Sequence, residues 1–386
     1  MSGMSRLLAI EEFCLTGSGG TPSRSNDEFY GGNIPWVKSG ELREKVVVET
    51  EEAITEEALA KSSAKLVPAG AILLAMYGAT VGRLALLGID AATNQAVCNI
   101  RPDHKVADTA YVYRALEAKV PELIAMATGG AQPNISQDKI RKLKIPLPPL
   151  DEQKRIAAIL DKADQLRQKR RQAIALLDSL TQSIFLEMFG DPIANPYGWP
   201  AKPLDECILI DAPLVDPRLT EYCNLLHYGP DRIEKESGRL LPAKTALEDN
   251  LISKKFLCSE KHILYSKIRP YLNKVALSPG QCLCSADMYP VEPKQHVMDN
   301  IYLWFMLRTS AFLGYAESCS GRANIPKINR EQLLGFEILV PSLADQKSFG
   351  LLIGKVQRET SRQELSLSSV ENLFSSLQHR AFSGQL

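Results

Sequence analysis

The chain has 386 residues, of which 45% are hydrophobic, so it is long enough for two or three domains with buried cores. No apolar run approaches the roughly 18 residues of a membrane span, and no signal peptide is recognisable, so we expect neither a membrane protein nor an exported one. Its 45 basic residues balance 45 acidic ones, which is unusual for a stand-alone DNA-binding protein because phosphate contacts need Lys and Arg.

The eight cysteines are scattered along the chain, and none forms a C-x-x-C pair. The five histidines do not lie at metal-ligand spacing from them. This pattern favours free thiols in a reducing compartment, so we expect a cytoplasmic protein without a metal site. The closest pair, Cys282 and Cys284, is expected on one face of a β-strand.

Residues 1–148 are predicted to form a first globular domain of mixed α and β structure. Its β-type runs lie at 34–38, 71–77, 84–87 and 95–100, and its helical pattern lies near 108–126. Residues 191–341 repeat this mixture, with β-type runs at 262–266, 274–277 and 336–340 and a helix near 299–314. These patterns predict an α+β fold with two globular domains.

Two long helices are predicted, one at 149–190 and one at 342–386. Residues 151–189 contain no Gly or Pro and carry apolar residues at heptad spacing, and a weaker copy of the pattern follows residue 349. A helix of about 38 residues spans roughly 57 Å, which exceeds the ~34 Å of one duplex turn. The predicted packing or partner-docking residues are Ile156, Ile159, Leu166, Arg170, Leu177, Leu180 and Ile184 in the first helix and Leu352, Val356, Gln363, Val370, Leu373 and Leu377 in the second.

Arg170 and Gln363 interrupt the apolar rows near the midpoints of the two helices. If the helices pair as an antiparallel coiled coil, these two residues meet at its centre, where a polar pair fixes the register at some cost in stability. The alternative is that both side chains simply point to solvent.

The order domain, helix, domain, helix reflects an internal duplication with a period near 193 residues. The segment 148–153 aligns with 341–346, and the helices that follow align without a gap. Upstream, 81–86 aligns with 272–277, and the pair Asn134-Ile135 aligns with Asn324-Ile325. The chain therefore contains two copies of one structural unit.

Catalytic motifs are nearly present at two places. Asn195-Pro196-Tyr197 resembles an amino-methyltransferase motif but lacks its second proline, and no glycine-rich cofactor turn accompanies it. Asp103, Glu117 and Lys119 match a loose nuclease spacing, but the last two residues point to different faces of a helix. No phosphate-binding loop or hydrolase motif occurs. We therefore expect a binding protein with no catalytic residues, with a nuclease, a methyltransferase or a coiled-coil scaffold as alternatives.

The clearest basic segment is 253–274, which carries Lys254, Lys255, Lys267, Arg269 and Lys274 with interleaved aromatic residues. Such residues hold phosphates and read base edges in the major groove. The matching stretch of the first copy is 76–83, which has two glycines and places Thr80 and Arg83 at a loop tip. Both stretches are candidate DNA contacts. The alternative for each is an ordinary solvated hairpin.

These residues resemble a known family, the specificity (S) subunits of Type I restriction–modification systems. The resemblance covers nearly the whole chain, and the second copy departs more from the pattern than the first. The segments that carry it are Ile145-Pro-Leu-Pro-Pro-Leu-Asp-Glu-Gln-Lys-Arg-Ile156, Met188-Phe-Gly-Asp-Pro192, Gly19-Gly-Thr-Pro-Ser23 with Ile34-Pro-Trp36, Tyr77-Gly-Ala-Thr-Val-Gly82, Asn94-Gln95 and Gln132-x-Asn134-Ile135.

The resemblance implies a non-catalytic subunit with two target-recognition domains, related by pseudo-twofold symmetry and separated by the two long antiparallel helices. Each domain would read one half of a bipartite DNA target, and the helices would set the spacing and dock two methyltransferase subunits. Motor–nuclease subunits would join for cleavage. S-adenosylmethionine, ATP and magnesium would belong to these partners and not to this chain. The specificity component of a fused or Type II-like modification enzyme is a related alternative.

The residue pattern and the resemblance together define a predicted set of DNA-binding residues. In the first domain these are Thr21, Lys38, Tyr77, Thr80, Arg83, Asn94, Gln95 and Gln132. In the second domain they are Lys254, Lys255, Tyr265, Lys267, Arg269, Asn273, Lys274 and Arg322.

Overall fold

The structure is a computed structural model that describes residues 6–127, 133–320 and 325–386. It divides into two compact units. Unit 1 comprises Met1–Arg171 with Leu365–Leu386, and unit 2 comprises Gln172–Glu364. Each unit therefore holds one globular part and half of each long helix. Within the described residues no helix combines the length and the apolar character needed to cross a bilayer.

Unit 1 begins with eleven strands among its described residues. They are β1 (Arg6–Ala9), β2 (Cys14–Ser18), β3 (Tyr30–Val37), β4 (Val46–Val47), β5 (Ala53–Ile54), β6 (Leu66–Val67), β7 (Ile72–Ala75), β8 (Leu84–Leu87), β9 (Ala91–Thr93), β10 (Val97–Pro102) and β11 (Lys144–Leu147). The helices that accompany them are α1 (Glu56–Lys61), α2 (Thr109–Ala125), α3 (Gln137–Arg141) and the long α4 (Leu150–Phe189).

Unit 2 continues with a second set of elements. Its strands are β12 (Ala201–Pro203), β13 (Ile208–Ile210), β14 (Leu214–Val215), β15 (His227–Tyr228), β16 (Lys255–Cys258), β17 (Ile263–Ser266), β18 (Val275–Leu277), β19 (Cys282–Cys284), β20 (Met288–Pro293) and β21 (Glu337–Leu339). The helices are α5 (Leu204–Cys207), α6 (Asn300–Met306), α7 (Ser310–Ser320), α8 (Arg330–Leu334) and the long α9 (Leu343–Phe382).

The two units have matching sheets, which confirms the predicted α+β class and the duplication. Unit 1 has the strand order β2-β10-β7-β8-β4, and unit 2 has β13-β20-β17-β18. A second sheet contains β3-β9-β6 in unit 1 and β15-β19-β16 in unit 2, and in each the first pair is parallel. The outer strands differ, because β5 extends one end of this sheet in unit 1 and β14 extends the other end in unit 2.

Two boundaries differ from the sequence-based expectation. The helix expected near 299–314 is two helices, because the Thr309 hydroxyl turns back to the Met306 carbonyl oxygen (2.8 Å) and so competes with helix continuation. The strand expected at 95–100 begins at Val97. Its amide donates to the Asn94 carbonyl oxygen (3.1 Å), which makes the preceding residues a turn.

Each long helix begins with a buried glutamine that holds it to the globular part of its unit. Gln153 accepts a hydrogen bond from the Asp108 amide (2.8 Å) and donates to the carbonyl oxygens of Val106 and Pro148 (2.9 and 2.8 Å). In unit 2, Gln346 accepts from the Asp299 amide (2.9 Å) and donates to two equivalent carbonyl oxygens. Both glutamines are fully buried. We call this arrangement the glutamine clamp.

The glutamine clamp also fixes the helix that follows each sheet. Asp108 caps α2 by accepting a hydrogen bond from the Tyr111 amide (3.0 Å), and Asp299 caps α6 through the amides of Ile301 and Tyr302. A cap of this type stabilises a helix by about 1 kcal/mol. Each clamp therefore binds the backbone of the residue that caps the neighbouring helix.

In both units the long helices bury a face against the globular core. In unit 1, Ile156 and Leu160 of α4 pack in one cluster with Phe374 of α9. The order is antiparallel, because Arg171 pairs with Glu371 (2.7 Å) and Arg155 donates to the carbonyl oxygen of Leu386 (2.9 Å). In unit 2, the core cluster contains Phe185 and Phe189 of α4 and Phe349 and Ile353 of α9.

The predicted heptad rows match this packing only in part. Ile156 is buried, and Ile159, Leu177, Ile184, Val356, Val370 and Leu377 are half-buried. Leu166, Leu180, Leu352 and Leu373 are 40–50% exposed, so much of each side chain lies outside the buried stripe. The physical reason is that each helix packs against a globular core, and the buried stripe shifts toward positions such as Leu160 and Ile353. Arg170 and Gln363 lie in different units, and their predicted meeting stays a prediction.

A buried charge network fills the space between the helices and α2 in unit 1. Arg114 is 1% exposed and pairs with Asp161 (2.6 Å), Asp164 (2.7 Å) and Glu117 (2.8 Å). Arg167 adds a second ion pair to Asp164 (2.6 Å) and lies 3.8 Å from the ring centroid of Phe374. Although burial opposes ionisation of the aspartates, the bonds to Arg114 and its neighbours lower the pKa of both carboxyl groups.

Replacement of either clamp glutamine by leucine is expected to lower the free energy of unfolding by at least about 2 kcal/mol, because it leaves a buried amide and two buried carbonyl groups without partners. Gln153→Leu and Gln346→Leu should show this loss in urea unfolding of the full chain. The exposed Gln172→Leu on α4 is the matched control and should stay within about 0.5 kcal/mol of the parent. Equal stability of all three variants would contradict this role.

The charge network also predicts a pH dependence. Because the folded pKa of Asp164 lies below its ordinary value of 3.8, its contribution to stability is present above that value and is lost as the pH falls through the folded pKa. Asp164→Asn should therefore be less stable than the parent at pH 7, and the difference should shrink below pH ~4. Denaturant unfolding at several pH values measures this. The exposed acid-to-amide change Glu187→Gln serves as the control, and a difference independent of pH would refute the prediction.

Candidate DNA-binding interface

Three connections meet at one edge of unit 1. The turn at 76–83 follows β7, and its Met76 amide donates to the Ala96 carbonyl oxygen (2.8 Å) in the loop between β9 and β10. The Gly78 amide donates to the Pro133 carbonyl oxygen (3.0 Å). The Ile135 amide donates to the Met76 carbonyl oxygen (2.9 Å). The 76–83 turn, the 94–96 loop and the 133–135 segment therefore lie side by side.

Several of the predicted DNA-binding side chains lie on these connections. Tyr77 is 38% exposed, and Gln95 and Arg83 are exposed. The Arg83 guanidinium forms no ion pair or hydrogen bond with any residue that the structure describes. The Thr80 hydroxyl donates to the Tyr77 carbonyl oxygen (3.1 Å), which stabilises the turn. Contacts to bases and phosphates require hydrogen-bond donors that have no partner within the protein and that the backbone holds in a defined position.

The loop that follows β2 joins the same edge. The Thr21 hydroxyl is hydrogen-bonded to the side chain of Gln95, so these two predicted residues are in contact. Asn94 is half-buried, and its side-chain oxygen accepts from the Ala96 amide (3.2 Å). Asn94 therefore holds the 94–96 loop in shape, whereas Gln95 presents its polar group at the surface.

Lys38 lies in a group of charges that neutralise each other. Its ammonium pairs with Glu52 (2.9 Å) and Glu51 (3.0 Å), and Arg24 also pairs with Glu52 (2.7 Å). The hydrogen bonds from Arg24 and Lys38 lower the pKa of Glu52 to about 2, and those from Glu52 and Glu51 raise the pKa of Lys38. A phosphate would have to compete with two carboxylates for Lys38.

Unit 2 repeats the arrangement of three connections. The Lys267 amide donates to the Asp287 carbonyl oxygen (3.1 Å), the Arg269 amide to Pro326 (2.7 Å) and the Ile328 amide to Lys267 (3.0 Å). These bonds correspond one to one with those of Met76, Gly78 and Ile135. The sequence-based alignment of Ile135 with Ile325 is therefore wrong by three residues, because the equivalent buried isoleucine is Ile328.

The two turns share an uncommon backbone shape but carry different residues. Gly78 and Gly82 have φ values of +68° and +83°, and the equivalent Arg269 and Asn273 each have a φ of +48°. Left-handed backbone costs a residue with a Cβ about 1–2 kcal/mol, although asparagine tolerates it better than most. Unit 2 therefore places an arginine at a position where glycine relieves strain in unit 1.

The side chains of the 267–274 turn divide into free and engaged groups. Arg269 and Tyr271 are exposed, and the Arg269 guanidinium has no ion-pair or hydrogen-bond partner within the described parts of the chain. Lys267 lies 5.6 Å from the Tyr289 ring centroid. Asn273 donates to the Arg308 carbonyl oxygen (3.0 Å) and Lys274 to that of Pro230 (2.5 Å), so both help to hold the turn in shape.

The remaining predicted residues fall at other places. Lys254 is exposed just before β16. Lys255 is 7% exposed and donates to the hydroxyl and carbonyl oxygens of Ser253, and Tyr265 is 3% exposed and packs on Phe312, so the structure gives these two residues packing roles. Gln132 and Arg322 lie outside the described residues.

The structure adds Lys327 to the candidates. It is exposed and forms a β-bridge with Ile268, the position that Asn134 occupies beside Tyr77 in unit 1. The sequence contained a signal for it, since 134 and 327 differ by the period of 193. The three-residue misalignment of this segment concealed that signal.

The three residues of the nuclease alternative, Asp103, Glu117 and Lys119, do not come together in one site. Glu117 pairs with Arg114 (2.8 Å), Lys119 with Glu122 (2.5 Å), and Asp103 accepts from the Lys105 amide (3.0 Å). No cluster of three or more potential metal ligands occurs among residues 6–127, 133–320 and 325–386. These three side chains therefore form separate local contacts.

Comparison with known proteins adds a family assignment. Residues 7–176 and 237–364 match the model of the Type I restriction modification DNA specificity domain. The chain is 28% identical over 319 residues to the EcoDI specificity subunit of Escherichia coli, covering 72% of this chain and 70% of that protein. It is 34% identical over 154 residues to the Escherichia coli EcoR124I/EcoR124II specificity subunit, but that match covers only 38% of each chain.

Solved structures agree in fold. A crystal structure of a Type I restriction–modification S subunit from M. genitalium superposes with a TM-score of 0.62 over 98% of this chain and 96% of that one, at 14% identity. A chain from a study of complex assembly in the type I R-M system has a TM-score of 0.55 over 99% and 98%, at 18% identity. The chain therefore belongs to the family of the Type I restriction modification DNA specificity domain, whose members supply DNA sequence recognition and not catalysis.

Proposed function

We propose that units 1 and 2 each bind one half of a bipartite DNA target, through the 76–83 turn and the 267–274 turn with their neighbouring connections. The observation that carries this proposal is the repetition of three hydrogen-bonded connections with different exposed side chains in each unit. A shared backbone frame that carries different side chains is suited to two readers with different base preferences.

Arg83 and Arg269 are the side chains best suited to direct contact. Each is exposed on its turn and has no partner among the described residues. An arginine donates two parallel hydrogen bonds to guanine in the major groove, or it holds a phosphate. The left-handed backbone at Arg269 supports a role for its side chain, because a glycine would fit the same turn with less strain.

We further propose that the long helices set the separation of the two half-sites and dock the partners. Two methyltransferase subunits and the motor–nuclease subunits would supply catalysis, with S-adenosylmethionine, ATP and magnesium bound to them. The exposed leucines of α4 and α9 support docking, since Leu176, Leu351 and Leu365 are 69–73% exposed. The zero net charge fits a chain that shares its grip on DNA with other subunits.

Alanine substitution of the two arginines should affect different halves of the target. With the full complex in cells, mapping of methylated adenines should show that Arg83→Ala relaxes or abolishes recognition of one half-site and Arg269→Ala that of the other. Each lost bidentate contact corresponds to about 1–3 kcal/mol of discrimination. If both variants altered the same half, or if neither altered methylation, the assignment of the turns would be wrong.

Lysines at the far ends of the same strands provide controls. Lys105 follows β10, whose other end adjoins the 94–96 loop, and Lys261 precedes β17, which leads into the 267–274 turn. Lys105→Ala and Lys261→Ala remove a positive charge without touching either turn. Both variants should retain the methylation pattern of the parent.

Lengthening the helices should change the spacing of the target. Seven residues inserted after Gln172 and seven after Leu365 add roughly 10 Å to each helix with little rotation of its faces. At about 3.4 Å per base pair, the mapped target should gain about three base pairs between its half-sites. The same seven residues inserted after Ile193, in the linker that follows α4, should leave the spacing unchanged. An unchanged target after the double helix insertion would contradict the spacer role.

A further inference from the structure

Unit 2 contains an open cleft of about 940 Å³ beside its halves of the long helices. Its walls come from the last part of α4, from residues 353–364 of α9, from the α6–α7 connection and from residues 236–240 between β15 and β16. Aromatic and apolar side chains, including Phe185, Trp304 and Phe305, line the cleft together with Arg308. A cleft of this volume matches the size of small-molecule sites in proteins.

The equivalent space in unit 1 is filled. The clamp and cap residues align Phe305 with Arg114 at a separation of 191, and the helix repeat aligns Gln357 with Asp164 and Thr360 with Arg167 at a separation of 193. Arg114, Asp164 and Arg167 form the buried charge network of unit 1.

Two smaller residues complete the difference. Gly354 stands where unit 1 has Asp161, and Thr181 stands where unit 1 has Phe374, on which Arg167 stacks. Most charged groups of the unit 1 network are therefore replaced by uncharged side chains in unit 2, although Arg308 stands where unit 1 has Glu117, and the space between the helices and α6 remains open. The cleft is a specific feature of unit 2 and not a general consequence of the fold.

Arg308 gives the cleft its chemistry. Its guanidinium lies 4.2 Å from the Trp304 ring centroid and donates to the Glu236 carbonyl oxygen (2.8 Å). Its Nε is buried without an acceptor, and no carboxylate of the described residues lies within ion-pair distance. Burial lowers the pKa of Arg308 to about 10, and the charge of Asp178 opposes this shift.

Other charged side chains of the cleft are paired or exposed. Arg239 forms an ion pair with Glu364 (2.8 Å). Asp178, Asp191 and Glu236 also line the cleft, and all three are exposed, so water screens their charge. Arg308 is thus a cation without an ion-pair partner among the described residues, beside an aromatic ring, and an anion bound to it would gain a charge-assisted hydrogen bond.

We propose that this cleft binds a small organic anion, with its acidic group on Arg308 and a flat apolar body against Trp304 and Phe305. The site is separate from the 76–83 and 267–274 turns, and the inference does not rest on the proposed DNA contacts. The shared chemistry of such ligands is one carboxylate, sulfonate or phosphate attached to an aromatic ring.

Fluorescence titration of the full chain with 8-anilinonaphthalene-1-sulfonate tests this, because the probe carries one sulfonate on an aromatic body. The expected result is saturable binding to one site. Arg308→Met should weaken it at least about tenfold, as loss of a charge-assisted contact implies, and Arg308→Lys should recover part of the affinity. Arg358→Met, an exposed arginine on α9, should bind like the parent.

A second variant fills the cleft without touching Arg308. The double substitution Gln357→Asp with Thr360→Arg introduces the pair that closes the space in unit 1, and it should abolish binding. Circular dichroism of each variant confirms that it is folded. Non-saturable binding to the parent, or parent-like affinity in both Arg308→Met and the filled variant, would overturn the proposal.

Discussion

The glutamine clamp is the interaction on which each unit depends. Amphipathicity alone does not fix the residue at which a long helix begins or the direction in which it leaves a domain. In both units one buried amide satisfies the cap residue of the neighbouring helix and two carbonyl groups, one of them at the helix's own entrance. Because an unsatisfied buried amide or carbonyl is expensive, this set of bonds fixes where the helix begins and how it enters the domain. The segment that carries Gln153 and Gln346 is also the segment by which the duplication is most easily recognised.

The backbone arrangement is repeated in the two units, but the side chains on it differ. At the sheet edge, two glycines in left-handed conformation in unit 1 become Arg269 and Asn273 in unit 2. Beside the helices, a buried ion network becomes an open cleft. Backbone hydrogen bonds hold the sheet-edge connections and the glutamine clamp holds the helices, so the other side chains at both places can differ between the units. Under the proposed function, this combination would allow the two units to recognise different half-sites.

Hydrophobic periodicity and the repeat predicted the α+β class, the two long helices and eight of the 21 strands among the described residues, because these follow from local patterns. They did not predict the break at Thr309, which depends on one side-chain hydrogen bond, or the equivalence of Ile135 and Ile328, which depends on tertiary pairing. For the candidate site, the sequence predicted the two turns but not the burial of Lys255 and Tyr265. An alternating strand pattern does not reveal which face of the strand is covered. Position along a heptad likewise does not tell whether a leucine meets a helix, a domain or a partner.

A hybrid chain most directly tests whether the two units recognise their half-sites independently on a shared backbone arrangement. Residues 201–342 would be replaced by a second copy of residues 7–149, and the linker and both long helices would be retained. Genome-wide mapping of methylated adenines in cells that express this hybrid with its partner subunits should reveal a symmetric target that contains the first half-site twice. Methylation of the original asymmetric target, or of a target unrelated to its first half, would contradict the account.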